Sequence, residues 1–203
     1  MSLGYALAYA IGITPWERAA DADPDGLDRL FSREEAEHAG PGRVLDLGCG
    51  SGAHTVALAA RGWKATGVDQ VQAALRRARR RADSHHVSAE FVQTDVTALD
   101  AAEIGSGIDF FLDVGCFHGL SDRQRSAMGR SVTALAQPAA TLLMLAFTPG
   151  ATPRPLPRGA GPADIERAYP HWRIIDSEAA VTTGMPKPLR RAAPTWYRLR
   201  HHG

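Results

Sequence analysis

Three glycines at alternate positions, Gly48, Gly50 and Gly52, follow the run Val44-Leu45-Asp46-Leu47 and lead into a helix-prone segment. Glycine at these places permits a tight strand-to-helix turn and lets a ligand approach the backbone without a Cβ in the way. This is a cradle for a nucleotide-type cofactor at the carboxyl edge of a sheet. A second acid, Asp69, ends the next apolar run 17 residues after Gly52. A carboxylate there can accept hydrogen bonds from both hydroxyls of a ribose. The loose pattern Gly48-x-Gly50-x-x-Ala53 also satisfies the dinucleotide fingerprint, so the charge of Asp46 must decide between ligands. Lying beneath the glycine turn, Asp46 attracts an ammonium, directly or through water, and repels a pyrophosphate. The balance therefore favours S-adenosylmethionine over a nicotinamide dinucleotide. No tyrosine is followed four residues later by lysine, which removes one catalytic pair common in nicotinamide-dependent oxidoreductases; that class stands as the alternative reading, and a cofactor-binding protein without catalysis as a third.

The elements that must position these residues can be read from periodicity. From Arg43 onward, short apolar runs alternate with helical patterns, the signature of βαβ units on a parallel sheet. Strands are predicted at Arg43–Leu47, Lys64–Asp69, Ala89–Thr94, Ile108–Asp113 and Thr141–Phe147, the last a continuous apolar run that should be central. Helices are predicted at Ala53–Arg61, Val71–Ala82 and Asp122–Gln137, the third opened by a Ser121/Gln124 capping box and closed by Pro138. A Pro- and Gly-rich loop, a short helix at Ala163–Tyr169, a strand at Trp172–Ser177, a second Pro-rich loop and a strand at Thr195–Arg200 complete the domain. Ahead of it, residues 1–40 read as a helical cap or lid: an amphipathic helix bearing Tyr5 and Tyr9, a helix start at Thr14-Pro15-Trp16-Glu17, and a helix over Gly26–His38 with Leu27, Leu30 and Phe31 inward. Residues 41–203 then form one α/β domain.

The segments Val44–Gly52, Gly67-Val68-Asp69, Thr94-Asp95-Val96 and Asp109–Leu120 resemble, in order and spacing, the motifs of class I S-adenosylmethionine-dependent methyltransferases. Within that superfamily the chain is most similar to the small-molecule branch of thiopurine, thiol, halide and tellurite-resistance-type enzymes. The resemblance implies a Rossmann-like doubly wound sheet of seven strands, order 3-2-1-4-5-7-6, with the last strand antiparallel. It implies that Asp46, Gly48, Cys49 and Gly50 line the methionine half of the cofactor and that Asp69 binds its ribose. Gln70, Asp95 and Val96 would surround the adenine, while Gly115 and Cys116 would flank the reacting methyl. His118, two residues past Cys116 where the acceptor should enter, is the candidate general base. Trp16, Tyr9, Cys116 and His118 are the candidate acceptor-binding residues.

Composition narrows the partners. The 23 Lys and Arg offset 22 Asp and Glu, leaving a formal charge of +1 and no broad basic field for nucleic acid or an anionic membrane. The arginines from Arg76 to Arg81 share one helix face opposite Val71, Ala74, Leu75, Ala78 and Ala82, as a solvated face does. His85 and His86 lack companions at ligand spacing, so no metal site is expected. Two cysteines, Cys49 and Cys116, suit a reduced cytoplasmic protein. A small-molecule methyl acceptor is the expected partner.

Overall fold

A computed structural model describes residues 24–151, 157–182 and 192–203. Helix α1 (Pro24–Glu37) begins on a proline, whose missing N–H is no loss in a first turn, and carries Asp25 there against the helix dipole. It ends where Ala39 and Gly40 take positive φ and the Gly40 N–H returns to the Glu35 carbonyl at 2.8 Å. Then follow β1 (Arg43–Leu47), α2 (Ala53–Ala60), β2 (Lys64–Asp69), α3 (Gln72–His85), β3 (Glu90–Gln93), α4 (Ala101–Ile104) and β4 (Ile108–Val114). A 3₁₀ turn (Phe117–Gly119) leads into α5 (Asp122–Leu135), β5 (Ala136–Ala146), α6 (Pro162–Ala168), β6 (Trp172–Ala179) and β7 (Thr195–His201).

The strands form one sheet in the order β3-β2-β1-β4-β5-β7-β6. The first five are parallel, and β7 runs antiparallel to both β5 and β6. Alternation along the central strands assigns their two faces. Val44, Phe110, Leu112, Leu143, Leu145 and Trp196 pack with Leu30 and Phe31 of α1 and Leu58 of α2. Leu45, Leu47, Phe111, Leu142, Met144 and Tyr197 pack with Met128 and Val132 of α5 and Ile165 of α6. Both faces are covered, which is why these strands read as unbroken apolar runs. Helices α5 and α6 cross closely: a Cβ on Gly129 would lie 1.8 Å from the Ala168 carbonyl oxygen.

One polar cluster interrupts the α1 face. Arg198 of β7 donates from Nε to Glu34 Oε1 at 2.6 Å and from Nη2 to Oε2 at 3.1 Å, and the Thr141 hydroxyl donates to Oε2 at 2.6 Å. His38 reaches Thr141 Oγ1 at 2.8 Å. Glu34, Thr141 and Arg198 are all buried, so α1 is fastened to β5 and β7 by a satisfied ion pair.

Several boundaries differ from expectation. Helix α5 opens with the Ser121/Gln124 capping box but stops at Leu135, and β5 begins immediately and runs through Pro138. Proline is tolerated because β7 pairs only with Thr141–Ala146, so this end of β5 has a single hydrogen-bonded neighbour. A register shift against β4 and a positive φ at Ala139 absorb the irregularity. The short α4, capped by Asp100, and the 3₁₀ turn have too little periodicity to be read in advance. Within the expected cap, Leu30 and Phe31 of Pro24–Glu37 pack against the sheet, while the stretch bearing Tyr5, Tyr9 and Trp16 lies outside the described residues, as does most of the second Pro-rich loop. Among the described residues no helix is long and apolar enough to cross a membrane.

Candidate cofactor and acceptor site

The carboxyl ends of β1, β2, β3 and β4 lie side by side, and register sets what they present. Leu47 pairs with Val68 and with Asp113, while Asp69 pairs with Gln93. The glycine turn after β1, Asp69 at the end of β2, Asp95 just past β3 and Gly115 just past β4 therefore share one edge. Burial, and then the charges of Asp113, Asp69, Asp95 and Asp46, push up the thiol of Cys116 in the turn after β4.

The glycine turn is built by hydrogen bonds to β2. The Gly48 and Cys49 N–H groups both donate to the Val68 carbonyl at 2.9 Å, and the Gly50 N–H donates to Asp69 Oδ2 at 3.0 Å. Asp69 Oδ1 accepts from the Val71 N–H at 2.7 Å, so one carboxylate spans the turn and the start of α3. Gly48 has φ +73°, and a Cβ there would stand 2.9 Å from Cys116 Cβ. Gly52 has φ +75°, and a Cβ there would stand 2.7 Å from Ala78 Cβ. Backbone conformation and close approach both require glycine at these positions.

Asp46 is 2% exposed beneath this turn. The Thr55 hydroxyl donates to its Oδ2 at 2.5 Å, and among the described residues no cation pairs with it. Burial pushes its carboxyl up to about 7, against the Thr55 bond and with help from the charge of Asp69. Asp113 is likewise buried and pushed up to about 7, chiefly by burial, although it accepts the Cys116 and Phe117 N–H groups at 2.8 and 3.0 Å. It thereby caps the 3₁₀ turn. Asp95 Oδ1 accepts from the Thr97 N–H at 2.8 Å and hydroxyl at 2.7 Å, and the neighbouring Val96 is buried. The Gln70 carbonyl accepts from Gln93 Nε2 at 3.1 Å.

Burial pushes both thiols, Cys49 and Cys116, well above their ordinary range, so neither offers a thiolate at neutral pH. Cys49 packs behind the turn, within 2.8 Å of where a Gly67 Cβ would lie. Among the described residues no cluster of His, Cys, Asp and Glu could hold a metal.

His118 requires a correction. It is 4% exposed, its ring stacks on Phe147 with centroids 4.4 Å apart, and its Nδ1 accepts the Phe147 backbone N–H at 3.1 Å. Burial, aided by the nearby Arg125 charge, pushes the imidazole down to about 3. A neutral imidazole has one lone pair, and here a backbone N–H occupies it, so the ring has no free site to take an acceptor's proton.

Sequence reasoning also missed Arg125. This α5 residue is 3% exposed and donates to the carbonyls of Phe117, His118 and Gly159 at 3.3, 3.0 and 2.5 Å, lying over the Phe117 ring. It binds the turn after β4 to the loop after β5. An arginine within an amphipathic helix carries no pattern that distinguishes it from a solvated one.

The glycine turn, flanking carboxylates and strand order define a Rossmann-like site for a nucleoside cofactor with a cationic portion. Residues 44–139, just under half of the chain, match the methyltransferase domain family, and the sheet has the strand order expected from the resemblance to class I S-adenosylmethionine-dependent methyltransferases. A protein of Geobacillus sp. (strain WCH70) that bears a methyltransferase name is 36% identical over 74 residues, covering 36% of this chain and only 30% of its own length. The structure of Burkholderia thailandensis 1,6-didemethyltoxoflavin-N1-methyltransferase, solved with 1,6-didemethyltoxoflavin and S-adenosylhomocysteine, superposes with a TM-score of 0.75 at 23% identity, covering 98% of this chain and 86% of that one. A protein studied for the conversion of a disulfide bond into a thioacetal group during echinomycin biosynthesis gives a TM-score of 0.74 at 22% identity, covering 100% and 93%.

Proposed function

We propose that this chain transfers a methyl group from S-adenosylmethionine to a small-molecule nucleophile such as a thiol or phenol. The observation that carries the reading is Asp46: a buried carboxyl with no cationic partner among the described residues, set under a turn whose glycines keep the backbone approachable. An ammonium of the methionine portion supplies the missing partner, and the same site disfavours a pyrophosphate, with Asp69 and Asp113 adding to the repulsion.

In this reading Asp46, Gly48, Cys49 and Gly50 hold the methionine portion, Asp69 the ribose, and Gln70, Asp95 and Val96 the adenine. Asp69 already accepts the Gly50 and Val71 N–H groups, so its position is fixed before a ribose arrives. When bound, the cofactor supplies an electrophilic methyl on a sulfonium. The chain's contribution is placement: Gly115 and Cys116 line the methyl, and the turn after β4 presents the acceptor for an in-line approach in a site shielded from water. Tyr9 and Trp16 remain proposed acceptor contacts, and residues 1–40 a proposed helical cap or lid. The small-molecule acceptor of the Burkholderia enzyme supports the substrate class by analogy.

The test is calorimetric titration with S-adenosylmethionine, S-adenosylhomocysteine and oxidised and reduced nicotinamide dinucleotides. Micromolar binding of the adenosyl ligands alone, about −8 kcal/mol, is the expected result and leads to screening thiols and phenols with radiolabelled cofactor. Dinucleotide binding without adenosyl binding overturns the assignment of Asp46 and makes the oxidoreductase reading the one to follow.

A further inference from the structure

We propose that His118 is a fixed hydrogen-bond donor, its Nε2–H directed beside Gly115 into the methyl-transfer cleft, where it selects acceptors that present a lone pair or negative charge. The proposal rests on the methyltransferase reading and names the acceptor chemistry for that site.

Three observations support it. The Phe147 backbone N–H can only donate, so the Nδ1 atom it meets at 3.1 Å must be the unprotonated nitrogen, which leaves the proton on Nε2. Nε2 has no hydrogen-bond partner among the described residues and is not sealed from solvent, so this edge of a ring only 4% exposed reaches open space. A Cβ at position 115 would stand 3.3 Å from Nε2; glycine there, at φ +88°, keeps this edge of the ring clear at the end of β4.

The ring is held on all but its Nε2 edge. Phe147 stacks on its face, Arg125 of α5 grips its backbone carbonyl at 3.0 Å, and Asp113 of β4 caps the turn that carries it. Asp164 of α6 lies 3.7 Å from Arg125 and orients that cation. The Arg125 charge opposes protonation of the ring, and burial opposes it more, so the neutral tautomer persists through the physiological range. A group held in this way cannot remove a proton. It can stabilise a thiolate or a phenolate that has already lost its proton to water, since sulfur and oxygen keep further lone pairs for attack on the methyl. A neutral alcohol, which needs a base, fits the site poorly.

The decisive experiment is long-range ¹H–¹⁵N correlation of the protein labelled with ¹⁵N-histidine and free of cofactor, with the His118 signals assigned by their absence in His118→Gln. The expected result is an unprotonated Nδ1 and a protonated Nε2 that do not change from about pH 8 to about pH 5. A protonated Nδ1, or titration near neutrality, overturns the proposal. Because the measurement needs neither cofactor nor acceptor, it stands apart from the binding test above. With the first acceptor turned over, His118→Gln, which keeps a donor, should hold KM within about 3-fold, while His118→Leu should raise it about 10-fold or more. Equal KM values for the two variants, or rates that follow an enzyme pKa and not the acceptor's own, would likewise overturn it.

Discussion

Replacing Asp46 by asparagine should stabilise the free protein at alkaline pH while weakening cofactor binding. Asp46 is 2% exposed, and burial raises its carboxyl from the ordinary 3.8 to about 7. The folded protein therefore holds this proton more tightly than the unfolded chain, and wild-type stability must fall as pH rises from about 4 to about 7. The full span corresponds to roughly 4 kcal/mol above the folded pKa, an upper bound because Asp113 titrates in the same range and the two charges interact. Asparagine removes the charge and can still accept from the Thr55 hydroxyl, but brings an amide NH₂ whose burial without a partner costs about 1–3 kcal/mol. The net expectation is a gain of about 1–2 kcal/mol near pH 8 that disappears near pH 4, with the residual slope belonging to Asp113. Cofactor affinity should move oppositely, by about 1.5–3 kcal/mol, the value of a charge-assisted bond, and equally for adenosylmethionine and adenosylhomocysteine, which share the amino group. Urea denaturation across pH and calorimetric titration at fixed pH measure the two quantities. An Asp46→Asn protein less stable than wild type at pH 8, or one that binds both ligands undiminished, would refute the reasoning.

Two further substitutions probe the scaffold. Gly48→Ala imposes a strained φ of +73° and a Cβ 2.9 Å from Cys116 Cβ, so it should cost about 1–2 kcal/mol in thermal unfolding and reduce adenosylhomocysteine binding at least 10-fold in the same titration. Glu34→Ala leaves the Arg198 guanidinium buried without its bidentate partner and should lose about 3–5 kcal/mol of stability by urea denaturation, whereas a paired Glu34→Met/Arg198→Met change should recover much of that loss.

How much of this was legible in the sequence depends on what each residue's role requires. The cradle was legible because its requirement is local: glycine at Gly48 and Gly52 answers to backbone conformation, and an acid at a strand end is exposed by periodicity. The sheet order followed from the resemblance of Val44–Gly52, Gly67–Asp69, Thr94–Val96 and Asp109–Leu120 to known motifs, with the βαβ pattern supplying only a parallel sheet. Boundaries failed where tertiary pairing overrode propensity. Pro138 reads as a helix stop, yet the helix had already ended at Leu135, because a strand paired on one side at that end accepts a proline.

The roles of charged and polar side chains were the least legible, because they are set by what lies across the fold. Arg125 and Arg76 occupy equivalent-looking helical positions, yet Arg125 serves three carbonyls from two loops and Arg76 faces solvent. Glu34 reads as one more acid in an acidic helix until Arg198 arrives from the last strand, 164 residues away. His118 is the sharpest case. Its type and place after β4 suggest a base, and only the backbone N–H of Phe147, 29 residues on, reveals which nitrogen carries the proton. That N–H is fixed in turn: the Phe147 carbonyl accepts from Ala160 at 2.9 Å, and Arg125 grips the adjoining Gly159. The loop after β5 thus determines the chemistry of a residue in the loop after β4. A change of acceptor class within this fold would need both loops to change together, since a histidine freed of its Phe147 contact would recover a lone pair and with it the capacity to act as a base.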